Sequence, residues 1–403
     1  MHRGCRAEHV GPASGICVSA NLRNPKQRPG VTGRDDTAVG ARGKPTAVDL
    51  FAGAGGLSLA ALMAGIDVIA AVERDPHACR TYRRNLIVSG RTDTRLFEED
   101  MLALDPAELM ARCGIGAGEC DMLLGGPPCQ GFSAHRIGDA GTRDPRNQLL
   151  NTYFAFVRAL RPMLFFVENV PGMLWPRHRK YVDGFYVMAE NAGYGLLAPT
   201  VLNAKDFGVP QNRKRVFLVG YDRRRLADLC WPPQATHREP GSVRPGEPWR
   251  DAGDVFAPAP PDDENDVHMR HGPVLTGTFL RTPVNGGSRA DSGRELPCHE
   301  RHQGHRDVYG RINPAVPGPT MTTACINPSK GRFAHPVLPH GITLRQAARY
   351  QTFPDWFVFE GGLMAGGVQI GNAVPVDMGA KLLAPLARAA MAVKGATGAC
   401  LAA

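Results

Sequence analysis

The fold class is decided by residues 46–56, which read Thr-Ala-Val-Asp-Leu-Phe-Ala-Gly-Ala-Gly-Gly. A short apolar run here ends in a glycine-rich turn, and a helical apolar face follows directly at Leu57–Ala64. The same order then repeats, with an apolar run at Asp67–Val72 and a helical pattern at Pro76–Leu86. Short apolar runs that alternate with helices are typical of βαβ units. We therefore predict an α/β fold with a parallel sheet.

Three later apolar runs extend this sheet, and the chain becomes irregular after them. The predicted strands are Asp121–Leu124, Leu164–Val167 and Val216–Val219, and Leu149–Leu160 has the pattern of a helix. Residues 223–340 are rich in Gly, Pro, Arg and His and show weak periodicity. Helical patterns return at Thr343–Gln351 and Val374–Val393. We expect a regular sheet domain and a second, smaller and irregular region.

The composition excludes several classes of protein. The chain has 403 residues, with 47 Lys and Arg against 38 Asp and Glu, and this net charge of +9 permits a polyanionic partner. Ten cysteines without a CxxC pair indicate a reduced, intracellular protein and not a disulfide scaffold. The longest apolar stretch, Leu57–Val72, is interrupted by Gly65 and Asp67 and is too short to span a bilayer. No membrane association is expected.

The glycine-rich turn at residues 52–56 is the first candidate site. Backbone N–H groups in such a turn, at the start of a helix, can approach a ligand closely. Glu73 ends the next predicted strand, where a carboxylate can accept hydrogen bonds from ribose hydroxyls. The glycine spacing is not GxGxxG, so these residues alone allow NAD, FAD or S-adenosylmethionine, or a turn without a ligand.

Three further sites carry reactive side chains. Cys129 follows a predicted strand in Gly-Gly-Pro-Pro-Cys-Gln and is a candidate nucleophile. Glu168 ends the strand in Phe-Phe-Val-Glu-Asn-Val; apolar neighbours can keep such a carboxyl protonated as an acid, and an ion-paired Glu is the alternative. Alternation places Gln211, Arg213 and Arg215 on one side, as a clamp for an anion or a carbonyl, or else as a solvated basic edge.

In this order, the motifs resemble those of the DNA (cytosine-5) methyltransferase family. The specific marks are Pro-Pro-Cys-Gln at Cys129, Glu-Asn-Val at Glu168 and Gln-x-Arg-x-Arg at residues 211–215, and residues 349–354 and 369–375 match the last two motifs. The resemblance covers about residues 46–393. It implies a Rossmann-like sheet that binds S-adenosylmethionine, a target-recognition domain, and methyl transfer to carbon 5 of a cytosine flipped out of double-stranded DNA.

The resemblance also implies a role for each matching residue. Cys129 attacks carbon 6 of the cytosine, Glu168 protonates or hydrogen-bonds ring nitrogen 3, and Arg213 and Arg215 hold the carbonyl and the adduct. The implied cofactor-binding residues are Phe51, Gly53, Gly55, Gly56, Leu57, Glu73 on the ribose, Asp100 at the adenine amine, Met101, Pro128, Asn372 and Val374. Arg74 departs from the family, in which an aromatic or apolar residue that stacks on adenine is common at this position.

The resemblance supplies expectations about the whole chain as well. We expect a disordered extension at 1–45, a catalytic and cofactor-binding domain at 46–222, a target-recognition domain at 223–340, a segment at 341–395 that returns to the catalytic domain, and a tail at 396–403. We expect a monomer in the cytoplasm, at the nucleoid, which either has a cognate restriction endonuclease as a functional, not physical, partner or is a solitary enzyme. No metal is expected, although Cys298, His299, His302 and His305 lie close in sequence.

Three other functions remain open on the sequence. A tRNA cytosine-5 methyltransferase has the same scaffold, but its Cys-Phe-Thr run is absent, since His299 follows Cys298 and Ile326 follows Cys325. A nucleic-acid-binding regulator with an inactive site is disfavoured by the complete set of catalytic motifs. A nucleotide-dependent oxidoreductase would explain the glycines but gives no reason for Pro-Pro-Cys-Gln.

Overall fold

An eight-stranded sheet forms the centre of the structure, a computed structural model that describes residues 43–128, 148–227, 229–294 and 307–401. Its strands are β1 Thr46–Leu50, β2 Asp67–Glu73, β3 Arg95–Glu98, β4 Met122–Gly125, β5 Leu164–Asn169, β6 Tyr194–Leu196, β7 Thr200–Asn203 and β8 Lys214–Asp222. Cys129, the extension before residue 43 and the group Cys298, His299, His302 and His305 lie outside the described residues.

The strand order is β3-β2-β1-β4-β5-β8, and β6 and β7 both pair with β8, β6 near its end and β7 near its start. The pairs among β1 to β5 are parallel, whereas β8 is antiparallel to β5, β6 and β7. The predicted parallel α/β sheet is confirmed. The order reverses between β1 and β4, and ligands of open α/β sheets bind beyond the strand ends at such a point.

Helices cover both faces of the sheet because its central strands are apolar on both sides. They are α1 Gly56–Met63, α2 Pro76–Tyr82 with a π-helical continuation at Arg83–Val88, α3 Pro106–Cys113, α4 Gln148–Leu160 and α5 Arg179–Asn191. Alternation along β5 sends Phe165 to one face, against Phe154 and Phe185, and Phe166 to the other, against Phe217. The sheet is therefore the middle layer of a three-layer sandwich.

The last helices bring the end of the chain back to the sheet. They are α7 Leu344–Tyr350, α8 Gly362–Asn372 and α9 Val376–Leu401. A Cβ atom on Gly379 of α9 would lie 2.7 Å from Ala60 Cβ of α1, so the two helices pack at close range. Lys394 Nζ also donates to Asp121 Oδ2, 2.8 Å away, just before β4. The helices predicted at 343–351 and 374–393 are both present, and α9 extends further than predicted.

The described residues between 223 and 340 contain little regular structure, as the sequence indicates: β9 His237–Arg238, β10 Glu247–Pro248, α6 Pro273–Arg281 and three short 3₁₀ helices. Arg311 is 2% exposed and supports this region from within. Its guanidinium donates to the backbone carbonyl oxygens of Phe279, Thr282, His335 and Leu338. The boundaries proposed for the domains stay a prediction. No helix of the described part of the chain is long and apolar enough to cross a membrane.

Candidate active site

The glycine-rich turn after β1 and the carboxylate of Glu73 at the end of β2 are joined directly. Glu73 Oε2 accepts a hydrogen bond from the Gly53 amide at 2.8 Å, and Oε1 accepts from the amides of Arg74 and Asp75, also at 2.8 Å. A carboxylate has about four acceptor sites, so capacity for a further donor remains. The backbone thus fixes the predicted ribose carboxylate against the turn.

Two glycines of the turn are required by space. A Cβ atom on Gly55, whose φ is +94°, would lie 2.8 Å from both Tyr82 and Leu86 side-chain atoms. On Gly56 it would lie 3.2 Å from the carbonyl oxygen of Val374. By contrast, a Cβ atom on Gly53 would meet nothing within 4 Å, so open space lies beside the turn there. The close packing brings the predicted cofactor residue Val374 next to the start of α1.

The remaining predicted cofactor residues differ in their exposure and in their hydrogen-bond partners. Asp100 follows β3; its Oδ1 accepts from the Leu102 amide at 3.0 Å and its Oδ2 accepts from Arg74 Nη1 at 2.7 Å. These hydrogen bonds, that of Leu102 first, lower the pKa of Asp100. Arg74 therefore covers the carboxylate predicted for the adenine amine. Of the others, Leu57 and Met101 are buried, Phe51 is half-buried with φ +59°, and Pro128 and Asn372 are exposed.

A buried carboxyl below the turn was missed in the sequence. Asp49 of β1 is fully buried, its Oδ2 accepts from Ser58 Oγ at 2.6 Å, and Tyr82 donates to that same Oγ at 3.0 Å. Its Oδ1 has no hydrogen-bond partner among the residues that the structure describes. Burial raises the pKa of Asp49 to about 7. The available signal was an acidic residue inside an otherwise apolar strand.

Glu168, at the end of β5, forms an ion pair with Arg215 of β8. Arg215 Nε lies 2.9 Å from Glu168 Oε1, and both side chains are largely buried. A Cβ atom on Gly126 would lie 3.5 Å from Glu168 Oε2, so this carboxylate faces the loop after β4. Asn169 Nδ2 donates to the Pro127 carbonyl oxygen at 3.1 Å, which fixes the same loop two residues before Cys129. Glu168 and Arg215, two of the predicted catalytic residues, therefore lie beside the loop that leads to Cys129.

The side chains of Gln211 and Arg213 contact other parts of the chain than the side chain of Arg215 does. Arg213 is 1% exposed, and its guanidinium donates to the carbonyl oxygens of Met321, Gly371 and Ala373. Gln211 lies beside it and donates to Gln351 Oε1 at 2.9 Å. β8 begins only at Lys214, after these two residues, and the predicted single-sided arrangement stays a prediction.

Arg213 therefore connects the two halves of the site. The carbonyl groups of residues 371 and 373 flank the predicted cofactor residue Asn372, and Gln351 Nε2 donates to the second of them at 3.0 Å. Arg213 itself is two residues before Arg215, the partner of Glu168. A solvated basic edge is excluded for Gln211 and Arg213, since both are buried.

A comparison with known families decides the identity of this site. The model of C-5 cytosine-specific DNA methylases matches residues 46–387. The chain belongs to this family. It is a DNA (cytosine-5) methyltransferase and uses S-adenosylmethionine, as the sequence motifs predicted.

Individual relatives agree with this assignment. The chain is 32% identical to Type II methyltransferase M.XorII of Xanthomonas oryzae pv. oryzae, over 82% of each chain. It is also 32% identical to Type II methyltransferase M1.HphI of Haemophilus parahaemolyticus, over 82% of this chain and 83% of the relative. Among solved structures, a DNA modification methyltransferase encoded within an Escherichia coli prophage has a similar fold, with a TM-score of 0.63 and 24% identity over 85% of this chain and 98% of that one.

The residues beside the glycine turn fit the cofactor of this methylase family. Glu73 and Asp100 offer acceptor oxygens at the ends of neighbouring strands, where ribose hydroxyls and an adenine amine would need them. The space beside Gly53 leaves room for a ligand next to the turn. Among the residues that the structure describes, no group of three or more His, Cys, Asp or Glu side chains is arranged to hold a metal ion.

Proposed function

We propose that this methyltransferase acts through a covalent bond between Cys129 and carbon 6 of a cytosine flipped out of duplex DNA. Carbon 5 of cytosine is a weak nucleophile, and addition of the Cys129 thiolate at carbon 6 places electron density on it as an enamine. Bound S-adenosylmethionine supplies the electrophilic methyl group. A base then removes the proton of carbon 5, its electron pair restores the ring double bond, and the C–S pair leaves with the Cys129 sulfur.

One observation carries this proposal: the ion pair of Glu168 and Arg215 beside the loop that leads to Cys129. We assign to Glu168 the hydrogen bond or proton at ring nitrogen 3, which draws electrons from carbon 6. Arg215 would hold the adjacent carbonyl oxygen. While no base is bound, each of the two buried charges compensates the other, which avoids the large penalty of an isolated buried charge.

Arg213 has a positioning role in this proposal. Its side chain is buried and donates to three backbone carbonyl groups, two of which flank Asn372. It would therefore keep the cofactor segment at a fixed distance from the strand that carries Arg215. Held within such geometry, a bound methyl group and a bound base react as neighbours, which is a major source of catalytic rate.

Cofactor binding is assigned to the turn and the strand ends. Glu73 would accept the ribose hydroxyls and Asp100 the adenine amine, and the wall would be formed by the other predicted residues: Phe51, Gly53, Gly55, Gly56, Leu57, Met101, Pro128, Asn372 and Val374. The names of the relatives, Type II methyltransferases, support a modification enzyme with a cognate restriction endonuclease as its functional partner. We propose that it acts as a monomer at the nucleoid in the cytoplasm.

Methyl transfer from labelled S-adenosylmethionine to mixed-sequence duplex DNA, with tRNA in parallel, tests the proposal. We expect label in DNA as 5-methylcytosine and complete loss of label with Cys129→Ser. Glu168→Gln should lower kcat by about 10²–10⁴-fold, which is the usual size of a general-acid contribution. Bisulfite sequencing of the product would then give the target sequence.

Two variants serve as matched controls. Cys230→Ser changes an exposed free cysteine, and Glu190→Gln changes an exposed carboxylate of α5, so both should retain full activity. Label in tRNA alone would keep the chemistry and contradict the substrate. Full activity of the Cys129→Ser variant would contradict the mechanism.

A further inference from the structure

The turn that follows β5 presents an exposed tryptophan between two buried side chains. Residues Pro171–Leu174 and Pro176–His178 form short 3₁₀ helices, each with proline at its first position. Met173 is fully buried and His178 is 3% exposed, whereas Trp175 between them is 38% exposed. The two buried residues anchor the turn, so the indole is held at the surface by rigid neighbours.

One cation lies against this indole, and two more follow it in the sequence. The Arg177 guanidinium lies 4.8 Å from the centre of the Trp175 ring, and its Nε donates to His178 Nε2 at 3.0 Å. Burial, and then the charge of Arg177, lower the pKa of His178, so this imidazole is a neutral acceptor at pH 7. Arg179 and Lys180 follow and are exposed. We call Trp175, Arg177, Arg179 and Lys180 the Trp175 surface.

Little negative charge opposes these cations. Arg179 Nε lies 3.0 Å from Asp183 Oδ1, but both side chains are mostly exposed, and such pairs contribute about 0–1 kcal/mol. Within the described ranges, no carboxylate forms an ion pair with Arg177 or Lys180. Among the described residues, the surface therefore carries a net positive charge, with three cations against the one carboxylate of Asp183.

The Trp175 surface lies close to the proposed catalytic residues along a short, rigid path. Glu168 and Asn169 end β5, and the first 3₁₀ helix begins at Pro171. With a rise of about 2 Å per residue in 3₁₀ helices and about 3.3 Å in extended residues, Trp175 lies within about 15 Å of Asn169. Phosphates along one DNA strand are about 3.4 Å apart along the axis, so this distance corresponds to about four nucleotides.

We propose that the Trp175 surface binds the sugar–phosphate backbone of duplex DNA within about four nucleotides of the flipped cytosine. Arg177 and Lys180 contact phosphate oxygens, and the Trp175 ring keeps Arg177 in place and packs against a sugar. Such contacts fix the register of the duplex on the enzyme without reading its sequence. The proposal depends on the function proposed above only for the position of the target base.

Binding of a 30-base-pair mixed-sequence duplex, measured by fluorescence anisotropy between 50 and 300 mM NaCl, tests this. We expect the double variant Arg177→Ala/Lys180→Ala to raise Kd by about tenfold or more at 100 mM NaCl. The slope of log Kd against log salt should fall by about 2, one for each lost phosphate contact. Trp175→Ala should raise Kd by about threefold and leave the slope unchanged, because a ring–sugar contact releases no counterion.

The matched control is Arg158→Ala/Arg223→Ala, which removes the same charge near the start of β5, at the other end of the strand from Asn169. Arg158 lies in the last turn of α4, before β5 begins, and Arg223 follows β8 where that strand pairs with the start of β5. The control should keep Kd within about twofold of wild type. An unchanged salt slope in Arg177→Ala/Lys180→Ala, or an equal loss in the control, would overturn the proposal.

Two further measurements separate this inference from the catalytic one. Binding of S-adenosylhomocysteine, measured by calorimetry, should be unchanged in the Trp175 surface variants, which excludes a folding defect. The Glu168→Gln variant should keep the wild-type salt slope while it loses methyl transfer. Retained methyl transfer in Glu168→Gln, together with a reduced slope in Arg177→Ala/Lys180→Ala, would overturn the catalytic role and leave the DNA contact in place.

Discussion

The central sheet and the irregular region at 223–340 are stabilised in different ways. In the sheet, neighbouring strands satisfy each other's backbone groups, and apolar side chains such as Phe165 and Phe166 fill both faces. In the irregular region, a single side chain supplies the donors that a neighbouring strand would supply, since Arg311 donates to four carbonyl oxygens in two separate segments. Stability is therefore spread over many residues in the sheet and concentrated in few residues outside it.

The largest expected effect follows from removal of that arginine. Arg311→Met leaves four carbonyl groups without their donor, three of them in buried hydrogen bonds. At about 1 kcal/mol for each hydrogen bond, we expect a loss of roughly 3–5 kcal/mol in the free energy of unfolding. Urea unfolding measures it, and limited proteolysis should cut the variant first within 223–340. Binding of S-adenosylhomocysteine to the sheet should persist below the unfolding transition.

Arg244→Met is the control for this prediction, because Arg244 lies in the same region and is exposed. Its stability should stay within about 0.5 kcal/mol of wild type, as is usual for surface substitutions. Equal stability of the two variants would mean that the irregular region does not depend on Arg311.

The same contrast explains which elements could be predicted from the sequence. The apolar runs predicted for β1, β4 and β5 begin and end within about two residues of these strands, and the run predicted for β8 lies inside that longer strand. β6 and β7 were missed because they are short and partly exposed, with Pro199 between them. Local pattern is sufficient where a strand is buried on both faces, and insufficient at the edge of the sheet.

Helix α8 shows a second reason why secondary structure could not be predicted from the sequence alone. No helix was predicted between the helical patterns at 343–351 and 374–393, yet the residues Gly362–Asn372 are helical. A Cβ atom on Gly366 would lie 2.5 Å from Leu344 Cδ2, and one on Gly371 would lie 2.3 Å from the backbone of Thr322. The glycines permit close packing with distant segments, and intrinsic helix propensity carries no information on such contacts.

For the site residues as well, the sequence indicates the reactive side chains but not their partners. Glu168 and Arg215 were identified as separate candidates because each belongs to a motif, but their ion pair depends on the register between β5 and β8, which no local pattern gives. The roles of Arg213 and Arg311 could not be predicted from local sequence for the same reason. The carbonyl groups to which they donate are between 24 and 160 residues away along the chain. Reactive residues were therefore easier to predict than the residues that position them.

The two regions should also respond to pH in opposite directions. Burial, followed by the charges of His340 and Arg311, lowers the pKa of His335 to about 4, so the unfolded chain binds the proton more tightly. Its contribution to stability is complete above pH 6.5 and is lost as the pH falls towards 4. Burial raises the pKa of Asp49 to about 7, so its contribution is complete below pH 4 and is lost as the pH rises towards 7.

Urea unfolding at several pH values sharpens this contrast. Since one pKa unit corresponds to about 1.4 kcal/mol, we expect His335→Gln to remove roughly 2–3 kcal/mol of the stability change between pH 6.5 and 4. Asp49→Asn should remove a change of similar size and opposite sign between pH 4 and 7. If the free energy of unfolding depended on pH in the same way in wild type and both variants, the attribution of these changes to His335 and Asp49 would be contradicted.

The smallest expected effects come from two glycine substitutions that test packing in the sheet region. A Cβ atom on Gly220 of β8 would lie 2.1 Å from Phe165 Cζ, so Gly220→Ala must displace a buried ring, which destabilises by roughly 1–3 kcal/mol. Gly184 in α5 has no atom within 4 Å of its Cβ position, and Gly184→Ala should stabilise by about 0.5–1 kcal/mol through helix propensity. Both are measured by urea unfolding. Because the sheet spreads its stability over many contacts, even Gly220→Ala should cost less than Arg311→Met; the reverse order would break the contrast between the two regions.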